Sequence, residues 1–243
     1  MKYMGSKARI AKHIAPIINK LIVENNIDHY IEPFVGGANM IEHIVCKSRA
    51  GFDINPYLIA LWNGLRYGYE IPVEMSKDDY LYWRGLYQHP DDTMNDTCRF
   101  MIGCAGFLAT YNAKFFGGYA GVVTTKTGIQ RNYYAEARRN ILAQLPKVKD
   151  VVFACRDYSQ VSYLAGNCLI YCDPPYSKTT KYETNWNAEP FWSWVRRMSK
   201  KHIVLVSEYN APDDFECILE VELTTTLDKN SRKKDVEKLF RLK

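Results

Sequence analysis

The sequence predicts a doubly wound α/β sheet that ends in an antiparallel hairpin and carries a mainly helical insertion. Three observations predict it. Short apolar runs alternate with helical patterns over residues 1–65 and again over 147–243. Residues 66–146 break that rhythm and show no strand–helix unit of the same kind. The last two strand-like runs, Cys217–Leu223 and Glu237–Leu242, flank a charged turn, the pattern of an antiparallel pair.

The elements follow in order. Ile10, Ile14, Ile17, Ile18 and Leu21 fall on one helical face, so a helix is expected over 6–24. Ser6 is placed to cap it, and Pro16 to kink or split it. A strand is expected at His29–Glu32, then the loop Pro33-Phe34-Val35-Gly36-Gly37, then a helix from about Ala38 to Lys47. Gly51-Phe52-Asp53 ends a second strand. Asn55-Pro56 opens a helix towards Leu65, with proline in its first turn. In the insertion, helical patterns run over about 76–88, 93–109 and 133–145, the last ending at Pro146. A loop-rich stretch, Tyr111 to Tyr133, separates the second from the third. Val151–Cys155, Cys168–Cys172 and His202–Ser207 are rich in Val, Ile, Leu and Cys, as strands buried on both faces require.

Composition narrows the function classes. The chain has 243 residues, 47% of them hydrophobic and 24% charged, which is the range of folded globular domains. No stretch approaches the roughly 20 apolar residues that span a bilayer. The basic N-terminus lacks a long apolar core and reads as structure rather than a signal peptide. Seven cysteines, an odd number with no CxxC pair, argue against a disulfide framework or a zinc site. Five histidines, none paired at ligand spacing, give no reason to expect a metal. The cytoplasm is the expected compartment, and a monomer the default state. The net charge of +5 permits a polyanionic partner without requiring one.

Asp173-Pro174-Pro175-Tyr176 follows directly on the apolar run Cys168–Cys172. That places it at the C-terminal end of a buried strand, the edge where open α/β sheets bind ligands. Two prolines stiffen the backbone and remove two N–H donors. A carboxylate and carbonyl oxygens remain, all acceptors, beside an aromatic ring. Such a pocket suits a flat molecule bearing an NH₂ group; the alternative is a strand-ending turn with an exposed tyrosine. Glu32-Pro33-Phe34-Val35-Gly36-Gly37 lies between a strand and a helix, where glycines let backbone approach a ligand. It is not a GxGxxG fingerprint, which disfavours a dinucleotide cradle and a Rossmann oxidoreductase. Asp53, at the end of the next strand, could take ribose hydroxyls or cap a helix. Lys2-Tyr3-Met4-Gly5-Ser6-Lys7 puts an aromatic residue and a lysine around a glycine turn.

In this order, KYMGSK, EPFVGG, GFDIN and YCDPPY resemble the Dam-type family of DNA adenine-N6 methyltransferases, which use S-adenosylmethionine. Arg156-Asp157-Tyr158 and Glu237-Lys238-Leu239-Phe240 add smaller matches, so the resemblance covers essentially the whole chain. It implies a Rossmann-like S-adenosylmethionine-dependent methyltransferase sheet over 1–65 and 147–243, with 66–146 as a target-recognition insertion. It implies cofactor contacts at Tyr3, Lys7, Glu32, Phe34, Gly36, Gly37, Asp53, Asp157 and Asp173. It implies catalysis by Asp173, Pro174, Pro175 and Tyr176 on an adenine flipped out of double-stranded DNA. Two departures stand out. The family's loop usually reads FxGxG, and Ala38 stands at the last glycine. TYNAKFFGGYAG replaces the arginine-containing hairpin of GATC-specific members and looks more like a phage-type subgroup, so GATC specificity is not assigned.

DNA binding calls for cations. Residues 1–20 hold five basic and no acidic residues, and 229–243 hold seven basic and two acidic. In the insertion, basic residues interleave with Tyr111, Phe115, Phe116 and Tyr119, a mixture suited to stacking and phosphate contacts. Lys2, Tyr111, Asn112, Lys114, Tyr119 and Arg131 are therefore expected at the DNA surface. Other readings stay open: a cytosine-N4 methyltransferase, where serine is more usual at position 173; an RNA or protein amide methyltransferase, where asparagine is; and a DNA-binding protein of this fold without turnover.

Overall fold

The computed structural model describes residues 1–91, 94–124, 127–161, 166–175, 188–224 and 234–243. Seven strands form one sheet: β1 (His29–Glu32), β2 (Ser48–Asp53), β5 (Val152–Cys155), β6 (Cys168–Cys172), β7 (Ile203–Glu208), β8 (Phe215–Thr224) and β9 (Lys234–Leu242). Their order is β5-β2-β1-β6-β7-β9-β8. The first five are parallel, and β9 runs antiparallel to both β7 and β8. From β1 the chain winds outward through β2 to β5. From β6 it winds the other way through β7. The direction of winding reverses between β1 and β6, so the crevice beyond their carboxyl ends is the place for a ligand.

The helices are α1 (Ala11–Glu24), α2 (Pro56–Arg66), α3 (Lys77–Gln88), α4 (Asp96–Leu108), α5 (Tyr133–Val148) and α6 (Ala188–Ser199). Ser6 does cap, but its hydroxyl accepts from Ala8 N at the start of a 3₁₀ turn, Lys7–Arg9, and α1 begins four residues later than expected from position 7. Pro16 lies within α1, which continues through it. Asn55 caps α2 and Pro56 occupies its first turn, as expected. Helix α5 does not stop at Pro146. Its last turn is held instead by two arginine side chains, Arg49 donating to Lys147 O at 2.9 Å and Arg66 to Lys149 O at 3.1 Å.

The expected helix over 38–47 does not form. Ala38 has a φ of 54°, which sends the chain left-handed where a helix would start. Only a 3₁₀ turn, Ile41–His43, follows. The backbone groups are satisfied by side chains from elsewhere. Arg49 donates to Ile41 O at 2.8 Å and Ile44 O at 3.2 Å. Asn19 donates to His43 O and accepts from Val45 N. Helix α6 is not among the expected elements, although Phe191, Trp194, Val195 and Met198 share helical spacing and are all buried. The loop-rich stretch also contains a two-stranded hairpin, β3 (Val122–Thr124) with β4 (Gln130–Asn132).

Two apolar clusters flank the sheet. The larger joins Ile14, Ile18, Leu58 and Trp62 to Phe100, Phe107, Tyr134 and Ile141, so the helices of 66–146 share a core with the sheet's α1–α2 face. The smaller packs α6 against Ile170, Val204 and Val206. All seven cysteines are free thiols. Among the described residues, no helix is long and apolar enough to cross a membrane, and no group of three or more His, Cys, Asp or Glu is arranged to hold a metal.

Candidate active site

Three strand ends converge on one cavity of about 350 Å³: Glu32 from β1, Asp53 from β2 and Asp173 just after β6. Tyr3, Lys7, Phe34, Gly36, Gly37, Pro174 and Pro175 also line it. The tertiary structure thus brings together nearly all the residues expected at a cofactor. Asp157 is not among the lining residues. It caps the turn Tyr158–Gln160, accepting from Ser159 N at 2.9 Å. Tyr176 lies outside the described residues.

The glycine loop is held from three sides. Gly36 N donates to Asp53 Oδ2 at 3.2 Å, and Asn55 N to Asp53 Oδ1 at 2.9 Å, which draws the loop onto the end of β2. Trp62 Nε1 donates to Gly36 O at 3.2 Å. Gln144 Nε2 donates to Gly37 O at 3.1 Å and Ala38 O at 2.8 Å. Trp62 and the buried Gln144 are site residues that sequence reasoning missed. Trp62 reads as one more apolar residue of α2, and a lone glutamine in α5 carries no signal of its loop partner. Gly36 has a φ of 47°, and a Cβ there would come within 2.7 Å of the Tyr3 ring. Ala38, at the last glycine position of the family's FxGxG loop, adopts the same left-handed region despite its methyl group, a strain of about 1–2 kcal/mol borne at full burial.

The electrostatics are one-sided. The buried Lys7 ammonium lies 3.0 Å from Asp173 Oδ1 and 2.8 Å from Glu237 Oε1. Glu32 and Glu208 are buried nearby, with no lysine or arginine among the described residues at ion-pair distance; Glu32 accepts from Tyr30 Oη at 2.7 Å and Glu208 from Tyr209 N at 2.9 Å. Burial is the largest cause that raises these carboxyls above their ordinary values, Glu32 to about 8, Glu208 to about 7 and Asp173 to about 6. Lys7 opposes the rise at Asp173, and Glu237 adds to it.

A carboxyl raised in this way holds its proton more tightly in the folded chain than in the unfolded one. Stability is then greatest below the unfolded value and falls as pH rises through the folded value. The ordinary values are 3.8 for Asp and 4.5 for Glu, so the window runs from there to about 8. The thermal midpoint of the ligand-free protein is expected to fall between about pH 5 and 8, and Glu208→Gln to flatten the fall. Thermal unfolding followed by circular dichroism against pH checks this. A midpoint that rises over that interval would contradict the buried cluster.

A second, larger cavity of about 680 Å³ adjoins the first and shares Tyr3, Ser6 and Asn39 with it. Lys2, Tyr111, Asn112 and Arg131 line it. Lys2 and Arg131 both pair with Glu136, and the Arg131 guanidinium lies 4.8 Å from the centre of the Tyr133 ring. Lys114 is exposed outside this cavity. Tyr119 is a packing residue: its hydroxyl donates to Met75 O at 2.8 Å and its ring meets Tyr80. The turn carrying Tyr111 is strained, with Asn112, Ala113 and Phe116 at φ of 53°, 55° and 47°.

A family model described as D12 class N6 adenine-specific DNA methyltransferase matches residues 3–201. The chain belongs to that family. Among its relatives is a DNA adenine methylase of Vibrio cholerae, 29% identical over 166 residues, which cover 60% of this chain and 56% of that protein. A type II methyltransferase of Methanocaldococcus jannaschii, M.MjaIII, is 25% identical over 243 residues, 86% of this chain and 84% of the relative. A DNA adenine methylase of Haemophilus influenzae is 28% identical, covering 76% of this chain and 65% of the relative. The chain therefore spans little more than half of the Vibrio protein's length. The matched region includes the lysine turn, the glycine loop, Asp53 and the Asp173 loop, which are the residues gathered around the smaller cavity.

Proposed function

We propose that the protein transfers a methyl group from S-adenosylmethionine to N6 of adenine in double-stranded DNA. The observation that carries this reading is the position of Asp173-Pro174-Pro175: a rigid, donor-poor loop at the switch point of the sheet, opening into the same cavity as the glycine loop and Asp53. Membership of the adenine-specific family favours adenine over cytosine, and aspartate at position 173 agrees with it.

The donor set supports the cofactor. Asp53 and Asp173 set two carboxyl groups against one lysine, Lys7, among the described lining residues, and Glu237 already pairs with that lysine, an arrangement that suits a cationic ligand. Asp53 keeps carboxylate lone pairs for hydroxyls after accepting its two loop N–H groups. Phe34 and Ile54 add apolar surface at the cavity wall. When bound, S-adenosylmethionine supplies an electrophilic methyl group on a sulfonium.

The chain's own residues do the rest. A flipped adenine presents its amine to the Asp173 loop, where the Asp173 carboxylate and the Pro174 carbonyl accept its two hydrogens. That draws the nitrogen lone pair out of conjugation with the ring. The same oxygens stabilise the positive charge that grows on nitrogen. Tyr176 stacks on the base in this reading. Lys7 holds the Asp173 carboxylate in place and partly ionised against the cost of burial.

In the same reading, Lys2, Tyr111, Asn112, Lys114 and Arg131 meet DNA. Supporting this are the lined cavity next to the active site and the strained turn beside it. Arg131 and Lys2 share one carboxylate, so their charges are partly neutralised before DNA arrives, whereas Lys114 is exposed. Lys114→Gln is expected to weaken binding several-fold and reduce the slope of log affinity against log salt by about 1. Fluorescence anisotropy with a duplex at four salt concentrations tests it, and an unchanged slope removes Lys114 from the interface.

The function itself is tested by mass spectrometry of nucleosides from mixed-sequence plasmid DNA incubated with the protein and S-adenosylmethionine. New N6-methyladenine is the expected product. N4-methylcytosine in its place would overturn the base assignment.

A further inference from the structure

We propose that Glu237, on the C-terminal hairpin, is a positioning residue for the active-site loop, acting through Lys7 on Asp173. This rests on the reading of Asp173 as the residue that receives the target amine.

Glu237 and Leu239 alternate onto the same face of β9, and both are buried, at 4% and 1% exposure. Leu239 belongs to the main core with Tyr171 and Leu205. An apolar residue would be the ordinary choice beside it, and a carboxylate there requires a partner to offset its desolvation. Its partner is the Lys7 ammonium at 2.8 Å, itself only 7% exposed and also 3.0 Å from Asp173. The neighbouring Lys238 points the other way and pairs with Glu220 at the surface. One buried cation thus bridges two carboxylates from elements far apart in sequence: the loop after β6 and the last strand.

The arrangement has two consequences. Glu237 holds the ammonium at a fixed place, and through it the Asp173 carboxylate. It also takes up part of the Lys7 charge, so Asp173 feels less than a full cation. The other titratable groups that feel Asp173 are Glu32 from β1, Tyr171 and Cys172 from β6, and Glu208 from β7, each pushed toward its neutral form by the Asp173 charge, while Glu237 is the carboxylate that raises Asp173 itself. Among the described residues, Lys7 is the cation at ion-pair distance from Asp173. Any change in how Glu237 engages Lys7 is therefore transmitted to Asp173.

The test reads the Asp173 carboxyl directly, by carbon NMR of the ligand-free protein with labelled aspartate, the signal assigned by its loss in Asp173→Asn. Glu237→Gln keeps an oxygen for the ammonium but removes a negative charge, so the Asp173 midpoint is expected to move to lower pH. Lys7→Met combined with Glu237→Met replaces the buried pair by apolar groups of similar length, a change folds often tolerate, and is expected to move the midpoint to higher pH. It keeps the test decisive where the glutamine variant fails to fold. In turnover, Glu237→Ala is expected to lower kcat by roughly 10–100-fold, the size of effect that a small misplacement of a catalytic group produces, with a much smaller change in KM. An unmoved midpoint in both variants would overturn the proposal and leave Glu237 a clamp for the hairpin. So would a moved midpoint with unchanged kcat. Failure of the parent protein to bind S-adenosylhomocysteine is a separate result: it removes the cofactor reading and leaves the carboxyl titration to decide the coupling.

Discussion

Asp173→Ala is expected to reduce methyl transfer by at least roughly 10²–10³-fold while leaving the protein folded. The loss is large because the side chain does two things at once. In the proposed mechanism it accepts a hydrogen of the target amine and offsets the positive charge that develops there. Folding survives because the Lys7 ammonium retains Glu237 at 2.8 Å, so no buried cation is orphaned. Asp173→Asn keeps one acceptor oxygen and loses the charge, and should fall between the two. Nucleoside mass spectrometry reads turnover, and circular dichroism the fold. Normal turnover in a folded Asp173→Ala protein would refute the mechanism.

Arg49→Met is expected to lower stability by roughly 3–5 kcal/mol, the largest effect foreseen for a residue that lines neither cavity. Arg49 is buried in β2 and serves four groups. Its guanidinium pairs with both oxygens of Asp150 and donates to Ile41 O, Ile44 O and Lys147 O. Methionine matches the aliphatic stem but leaves these buried carbonyls without donors. Two of them belong to the turns that replace the expected helix after the glycine loop. The loss should therefore be accompanied by weaker binding of S-adenosylhomocysteine. Urea unfolding measures the first effect and calorimetry the second. A loss below about 1 kcal/mol would mean that water reaches those carbonyls.

The strands were readable because strands buried on both faces leave little latitude. Cys168–Cys172 and His29–Glu32 are expected and observed with the same bounds. The sheet's antiparallel end follows from the two last apolar runs in the same way. The segment 38–47 misleads because its apolar residues, Met40, Ile41 and Ile44, are buried without forming an α-helix. Helix propensity is a local quantity. Here it is overridden by a left-handed residue at 38 and by side-chain donors from other elements, Asn19 of α1 and Arg49 of β2.

The site divides along the same line. Asp173-Pro174-Pro175, Gly36-Gly37 and Asp53 are legible because each is a strand-end residue, and strand ends of a parallel sheet lie at one edge. Tyr119 carries the same sequence signature whether its ring packs inward or meets a ligand, and what the sequence does not show is the hydrogen bond its hydroxyl donates to Met75 O. Gln144 and Trp62 were silent, each being one polar or aromatic residue whose partner lies in another element, and Glu237 entered only within the match Glu237-Lys238-Leu239-Phe240, with no sign of its lysine partner.

By itself, then, the sequence determined the sheet, its winding, its antiparallel finish and the chemistry-bearing loops, because periodicity and strand-end position are local properties written in consecutive residues. The tertiary structure alone decided what holds those loops in working order. Arg49 replaces a helix's own hydrogen bonds, Gln144 fastens the glycine loop, and Lys7 joins Asp173 to Glu237. Each of these is a pairing between elements, and a buried polar group finds its partner only once the chain has closed around it.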